Sequence, residues 1–215
     1  MLPAPEVQAK VDHAFDDIMT AALKWTPSKE ADVAQVKPYP ARRMKFKGDI
    51  YALNQMFQNR KWSLNLPVIP PTPDRVAEML KGTKRDPAEV VWVVPPRQGI
   101  LTVELVAAYG VMAGAKPEHM PLLLATIEAF KHPDVSWRGT STTTAYTVPV
   151  IILSGPIIQK FGLNFGTGTA GPGNPVTNSL GYFINLIGDV IGGSIVPNFD
   201  KSTHGGSGDF VATVF

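Results

Sequence analysis

The most informative absence in this sequence is cysteine, which occurs nowhere among the 215 residues. Its absence excludes disulfide bonds, thiolate nucleophiles and cysteine-ligated metals. Charged residues are also sparse, at 18% of the chain, which indicates that part of the surface is buried against a partner. The four histidines show no metal-ligand spacing. We therefore predict no metal site, and no motif identifies a cofactor. The histidines are His13, His119, His132 and His204.

The N-terminus lacks the pattern of a secretory signal. MLPAPEVQAKVDHAFDD contains no basic segment followed by an apolar one. The most apolar predicted helix, NPVTNSLGYFINLIGDVIGG, has polar interruptions that argue against a membrane span. These patterns predict a cytoplasmic protein, and the low charge predicts an oligomer.

The stretch from Lys37 to Lys61 contains seven basic residues and only one acidic residue, Asp49. Pro38 and Pro40 in this stretch indicate an extended arm. No nucleic-acid-binding module is recognisable, so the pattern favours a solvated or partner-facing arm over nucleic-acid binding. We predict an N-terminal region, residues 1–66, made of an amphipathic helix and this basic arm, followed by a core domain at residues 67–215.

Periodicity and capping residues predict the secondary structure of the core. A β-branched run ended by a proline pair indicates a buried strand, and it is followed by two helices. This order predicts an α/β fold with a single mixed or parallel sheet, flanking helices and an N-terminal helical or extended arm. Predicted helices cover 5–25, 73–81, 100–113, 117–132 and the stretch after Asn174; predicted strands cover 89–96, 147–154 and 209–215.

A glycine-rich loop, GTGTAGPGN, precedes the last apolar helix and is the first candidate site. The amides of Gly171, Gly173 and Asn174 lie just before Pro175, where unpaired N–H groups and the helix dipole attract anions. The alternative is a tight connection that needs positive φ angles. The loop has neither a dinucleotide-binding fingerprint nor the lysine of a P-loop.

A second candidate is Arg97 with Gln98, between a predicted strand and a predicted helix. Open α/β sheets bind ligands at this position, and a guanidinium can hold a carboxylate through two hydrogen bonds. The alternative is a surface arginine paired with Glu104. The hydroxyls of Thr142 and Thr143 and the amide of Asn178 are further candidate ligand contacts.

Two histidines are candidates for proton transfer. His119 follows Glu118 in KPEHMP, and His204 lies in DKSTHGGSGD. Glu118 has an alternative role as the negative charge at a helix start. The Ser, His and Asp residues of the second motif are too close in sequence for a catalytic triad, and no nucleophile elbow is present.

Three segments, VVPPRQGILTVELVAAYGVMAGAKPEHMPLLLATIEAF, GPGNPVTNSLGYF and DKSTHG, together resemble the bacterial family of UGSC-type (seleno)proteins. The resemblance covers roughly residues 70–210 and implies a bacterial α/β scaffold. It implies no particular reaction. The family has a cysteine where this chain has Ala115, a tyrosine at His119, and arginines at Tyr182 and Asn185, and the UGSC segment is absent. Thiol or selenol chemistry would therefore require a second, different chain.

These observations support two hypotheses of function. The first is a subunit of a bacterial hetero-oligomeric enzyme that acts on a small anionic or polar organic molecule, in a lyase, hydratase or hydrolase reaction. Arg97, His119 and His204 would be its catalytic residues. The second is a non-catalytic structural or ligand-binding subunit that assembles with a catalytic partner chain.

Overall fold

The computed structural model describes residues 3–24, 38–145, 147–169, 171 and 173–195. The chain divides into two units, Met1–Lys37 and Pro38–Phe215. In the first unit, helix α1 spans Ala4–Lys24, which confirms the helix predicted at 5–25. The predicted strand at 209–215 and the motif around His204 lie outside the described residues.

The described part of the chain is mostly helical, and the predicted α/β fold is wrong. Helices make up 51% of the structure, and its sheet consists of two antiparallel strands. The main helices are α2 (Ile50–Asn59), α3 (Pro73–Leu80), α4 (Val103–Met112), α5 (Met120–Phe130) and α8 (Pro175–Leu186), and the strands are β1 (Val90–Val94) and β2 (Gly99–Thr102). Short helical turns are α6 (Trp137–Thr140), α7 (Ile157–Lys160), 3-10 turns at Pro117–His119 and Pro133–Val135, and a π-helical turn at Ile187–Ile191.

The fold prediction failed at the segment PPRQ. Residues 95–98 form a turn in which Gln98 has a φ of 59°, so the chain reverses and β2 pairs antiparallel with β1, with Val94 opposite Gly99. The first residues of the predicted 100–113 helix therefore form a strand. The segment predicted as a strand at 147–154 belongs to no sheet, so no parallel crossover forms among the described residues.

The core lies between α4, α5 and α8, which pack against one another. Gly110 marks the close approach of α4 to α5, since a Cβ atom there would lie 2.6 Å from Leu123 Cδ1. The sequence predicted that the last apolar helix is buried on all sides. No residue from Val176 to Ile195 is exposed, but Val176 and Ser179 are half-buried and line the cleft described below, so the helix is not enclosed on every side.

The described part of the basic stretch, 38–61, contains helix α2, where the sequence predicted an extended arm. Helix α2 begins after Asp49, whose carboxylate accepts a hydrogen bond from Ala52 N. Upstream of α2, the buried carboxylate of Glu104 accepts hydrogen bonds from Ala41 N at 2.7 Å and from the Arg43 guanidinium at 3.2 Å. These two bonds fasten the segment before α2 to helix α4. The proposed pairing of Glu104 with Arg97 is replaced by this one with Arg43.

Candidate functional site

An open cleft of about 500 Å³ lies where three parts of the second unit meet. The first wall is the connection from α4 to α5, the second is the end of α7, and the third is the start of α8. A cleft of this size lies within the range of small-molecule sites. Its lining residues are Gly114, Lys116, Glu118, His119, Lys160, Phe161, Gly162, Asn174, Pro175, Val176 and Ser179.

His119 is the buried polar group of the first wall, with 7% of its surface exposed. Pro117 starts a 3-10 turn, which brings the imidazole back over the chain so that Lys116 N donates a hydrogen bond to Nδ1 at 3.1 Å. The ring meets Phe161 of the second wall edge-to-face, with 5.1 Å between the centroids. These contacts hold the imidazole in one orientation.

The environment of His119 also lowers the pKa of its imidazole. Burial lowers its pKa below the ordinary 6.5, and this is the largest effect on the group. The imidazole is therefore neutral at pH 7. Because Nδ1 accepts a hydrogen bond, the remaining proton is on Nε2. In this state Nε2 can donate a hydrogen bond.

The charged side chains at the cleft favour an anion. Lys116 and Lys160 come from different walls, and Glu118 is the one carboxylate among the lining residues. The ammonium of Lys160 lies 5.3 Å from the centre of the Phe161 ring, a cation–π distance. Both lysines are exposed, so each contributes a modest, salt-sensitive attraction.

Asn174 connects the second and third walls. Its Oδ1 accepts hydrogen bonds from Val176 N at 2.9 Å and Thr177 N at 3.2 Å, which makes it the N-cap of α8. Its Nδ2 donates to Gly162 O at 2.7 Å. The predicted site residue Asn174 therefore lies in the cleft, but through its side chain it holds the helix start against the end of α7.

One of the amides that the sequence suggested as an anion cradle makes a hydrogen bond within the chain, since Gly171 N donates to Gly168 O at 2.9 Å. At the start of α8, Asn178 N donates to Asn174 O at 3.1 Å. Neither Gly171 nor Gly173 lines the cleft. The bond of Gly171 N fits the alternative interpretation of the motif, a tight connection.

The other predicted site residues that the structure describes do not line the cleft. Arg97 and Gln98 form the hairpin turn, with Arg97 N donating to Gly192 O at 2.9 Å. The Arg97 side chain packs so closely on Gly193 that a Cβ atom there would lie 2.4 Å from Arg97 Cδ. Thr142 Oγ1 donates to Arg138 O, and Thr143 Oγ1 accepts from Ala145 N. These hydroxyls therefore stabilise their own turn.

The sequence patterns did not predict the residues of the second wall. Lys160 and Phe161 lie more than 40 residues from KPEH in the sequence, and no local motif marks them. Ser179, on α8, was also missed. The predicted residues that the fold brings together are His119 and Asn174; His204 is outside the described ranges.

Within the part of the chain that the structure describes, no group of three His, Asp or Glu side chains could hold a metal ion. No helix in the same residues has the length and apolarity needed to cross a membrane. No family model matches the chain. No curated protein and no solved structure matches it either.

Proposed function

We propose that this chain binds a small organic anion in the cleft around His119, as the ligand-binding subunit of a bacterial enzyme complex. The observation that carries the proposal is the combination of a buried imidazole donor with two lysines around a cleft of about 500 Å³. Phe161 and Val176 supply apolar surface for the carbon skeleton of the ligand. Ligand sites commonly combine such apolar surface with a few converging polar groups.

Binding is favoured over proton transfer by this chain alone. A neutral imidazole whose Nδ1 already accepts a hydrogen bond from Lys116 N offers a donor at Nε2. Such a group orients an anion, but it does not remove a proton from it. The lyase, hydratase or hydrolase step proposed for the complex would then need a reactive group from a partner chain.

The resemblance to UGSC-type proteins supports the same division of roles. The family cysteine corresponds to Ala115, which lies between the cleft-lining residues Gly114 and Lys116. Replacement of a thiol by a methyl group at this position removes a nucleophile beside the cleft. We propose that a different chain supplies the chemistry, and that the complex is cytoplasmic.

The proposal is tested by calorimetric titration of the full chain with acetate, succinate, citrate and inorganic phosphate. His119→Leu should weaken binding of the best of these anions by roughly 10- to 100-fold, because it removes the Nε2 donor and a hydrogen bond to a charged group is worth about 1.5–3 kcal/mol. Lys160→Gln should weaken it by about 2- to 5-fold, as expected for an exposed ion pair.

The matched control is Lys47→Gln, which removes an exposed lysine outside the cleft. It should leave the affinity unchanged apart from a small effect on salt dependence. Equal weakening by Lys47→Gln and Lys160→Gln would show that binding depends on overall charge, and the proposed site would be wrong.

A further inference from the structure

The surface around helix α2 carries a concentrated positive charge. Between Pro38 and Lys61 the chain has six basic residues, all of them exposed, and a single acidic residue, Asp49. Glu104 holds one of the six, Arg43, in an ion pair. The other five make no ion pair with any residue that the structure describes; they are Arg42, Lys45, Lys47, Arg60 and Lys61. Such a cluster of cations attracts a polyanion.

The structure brings basic segments from both ends of α2 together. Arg60 follows the helix, yet its Nη1 donates a hydrogen bond at 3.8 Å to the sulfur of Met44, which precedes the helix. The bonds from Ala41 N and the Arg43 guanidinium to Glu104 fasten the same preceding segment to helix α4. The cations therefore lie on a surface that tertiary contacts hold, and not on the extended arm that the sequence predicted.

Exposed aromatic and amide side chains lie among these cations. Tyr51, Gln55 and Asn59 are spaced four residues apart, so they share one side of α2. All three are exposed, Tyr51 to 82%. The ring of Phe46 lies beside the start of the helix, since a Cβ atom on Gly48 would lie 2.9 Å from it. We call this surface the α2 face: the three helix residues, Phe46 and the five cations without an ion pair.

The composition of the α2 face distinguishes between classes of polyanion. A helix that binds an anionic membrane presents a broad apolar side, whereas α2 presents the amides of Gln55 and Asn59. An acidic peptide would use the cations but would leave the aromatic rings without a role. Single-stranded nucleic acid uses all three kinds of group, because phosphates bind cations, bases stack on aromatic rings, and base edges form hydrogen bonds with polar side chains.

We propose that the α2 face binds single-stranded nucleic acid, with a base stacked on Tyr51 and phosphates beside Lys45 and Arg60. The sequence contains no nucleic-acid-binding module, so the proposal depends on where folding places these side chains. No residue of the α2 face lines the cleft around His119. This inference is therefore independent of the proposed anion site.

The test is fluorescence anisotropy of the full chain with a labelled oligo(dT) of about 20 nucleotides, which exceeds the usual site size of such proteins. Binding should weaken as salt increases, and Lys45→Gln should reduce the slope of log K against log salt by about 0.7. Tyr51→Ala should weaken binding roughly 5- to 150-fold, as expected for the loss of one stacked base. Because Tyr51 is 82% exposed, this substitution leaves the core intact.

Two matched controls lie outside the α2 face. Lys84→Gln removes another exposed lysine, and Phe165→Ala removes another aromatic ring, which is 68% exposed. Neither should change the affinity by more than about 2-fold, because a distant charge is screened by salt. An oligo(dA)·oligo(dT) duplex of the same length should bind more weakly than the single strand, because its paired bases are not free to stack on Tyr51.

Several results would overturn the proposal. These are no binding of the oligonucleotide at low salt, equal weakening by Tyr51→Ala and Phe165→Ala, and a duplex bound as tightly as the single strand. Cosedimentation with vesicles of phosphatidylglycerol and phosphatidylcholine, without binding to the oligonucleotide, would also overturn it, because the partner would then be a lipid surface.

Discussion

Asn174→Ala should destabilise the protein by about 2 kcal/mol, because the side chain makes two separable contributions. Loss of the N-cap bonds to Val176 N and Thr177 N costs about 1 kcal/mol. Loss of the bond from Nδ2 to Gly162 O costs about 1 kcal/mol more. For a chain of this size we expect a decrease in the melting temperature of roughly 4–8 °C.

Two matched variants separate the two contributions of Asn174. Asn174→Ser keeps a capping oxygen but loses the Nδ2 donor, so it should be more stable than the alanine variant. Asn174→Asp also keeps a capping oxygen, but its carboxylate lies against Gly162 O, where two acceptors repel each other, so we expect no such gain in stability. The aspartate also lowers the positive charge at the cleft, so it should weaken anion binding more than the serine does.

Urea unfolding followed by the fluorescence of the four tryptophans measures these differences. Analysis by linear extrapolation also shows whether the slope changes. Equal stability of the alanine and serine variants would show that the cap contributes nothing. A loss below about 0.5 kcal/mol for Asn174→Ala, the lower limit for one such hydrogen bond, would refute the claim that this side chain joins two walls of the cleft.

Two other predictions follow from buried polar groups. Because the folded-state pKa of His119 is lowered from 6.5, the unfolded chain binds a proton first as the pH falls, and the free energy of unfolding should decrease below about pH 6.5. Urea titrations at pH 5–8 should show that this free energy depends less on pH in His119→Gln than in the wild-type protein. An unchanged pH profile in the variant would contradict the lowered pKa of His119. Glu104→Ala should cost about 1–3 kcal/mol by leaving Ala41 N unpaired and should expose the segment before α2 to limited proteolysis. The control is Glu78→Ala, which removes an exposed ion pair with Lys81 and should change stability by less than about 1 kcal/mol. Equal protease sensitivity in the two variants would disprove that Glu104 fastens the segment before α2.

Several helices could be predicted from sequence because their signals are local. Helix α3 begins at Pro73 after Thr72 and ends before Gly82, where proline and glycine restrict the backbone at the helix ends. The apolar composition of α8 alone indicated a mostly buried helix. KPEH was singled out as a candidate site from residue types alone, and the structure places His119 in the cleft. In these cases neighbouring residues contain the information that decides the structure.

The pairing of the sheet, the lining of the cleft and the hydrogen bonds of the loop before α8 depended on tertiary structure. A strand sequence such as VPVIILS does not specify its partner, so the α/β fold predicted from strand and helix order was wrong. Lys160 and Phe161 became site residues only because folding packs the end of α7 against His119. The loop before α8 resembled an anion site in sequence, and the structure shows the Asn174 side chain capping the amides of Val176 and Thr177 at the helix start. Sequence by itself indicated most of the main helices and which residues carry polar groups, although it missed α2 and placed the start of α4 before Val103. Tertiary structure decided which of those groups meet, because hydrogen bonds and ring contacts between distant segments depend on packing that no local pattern records.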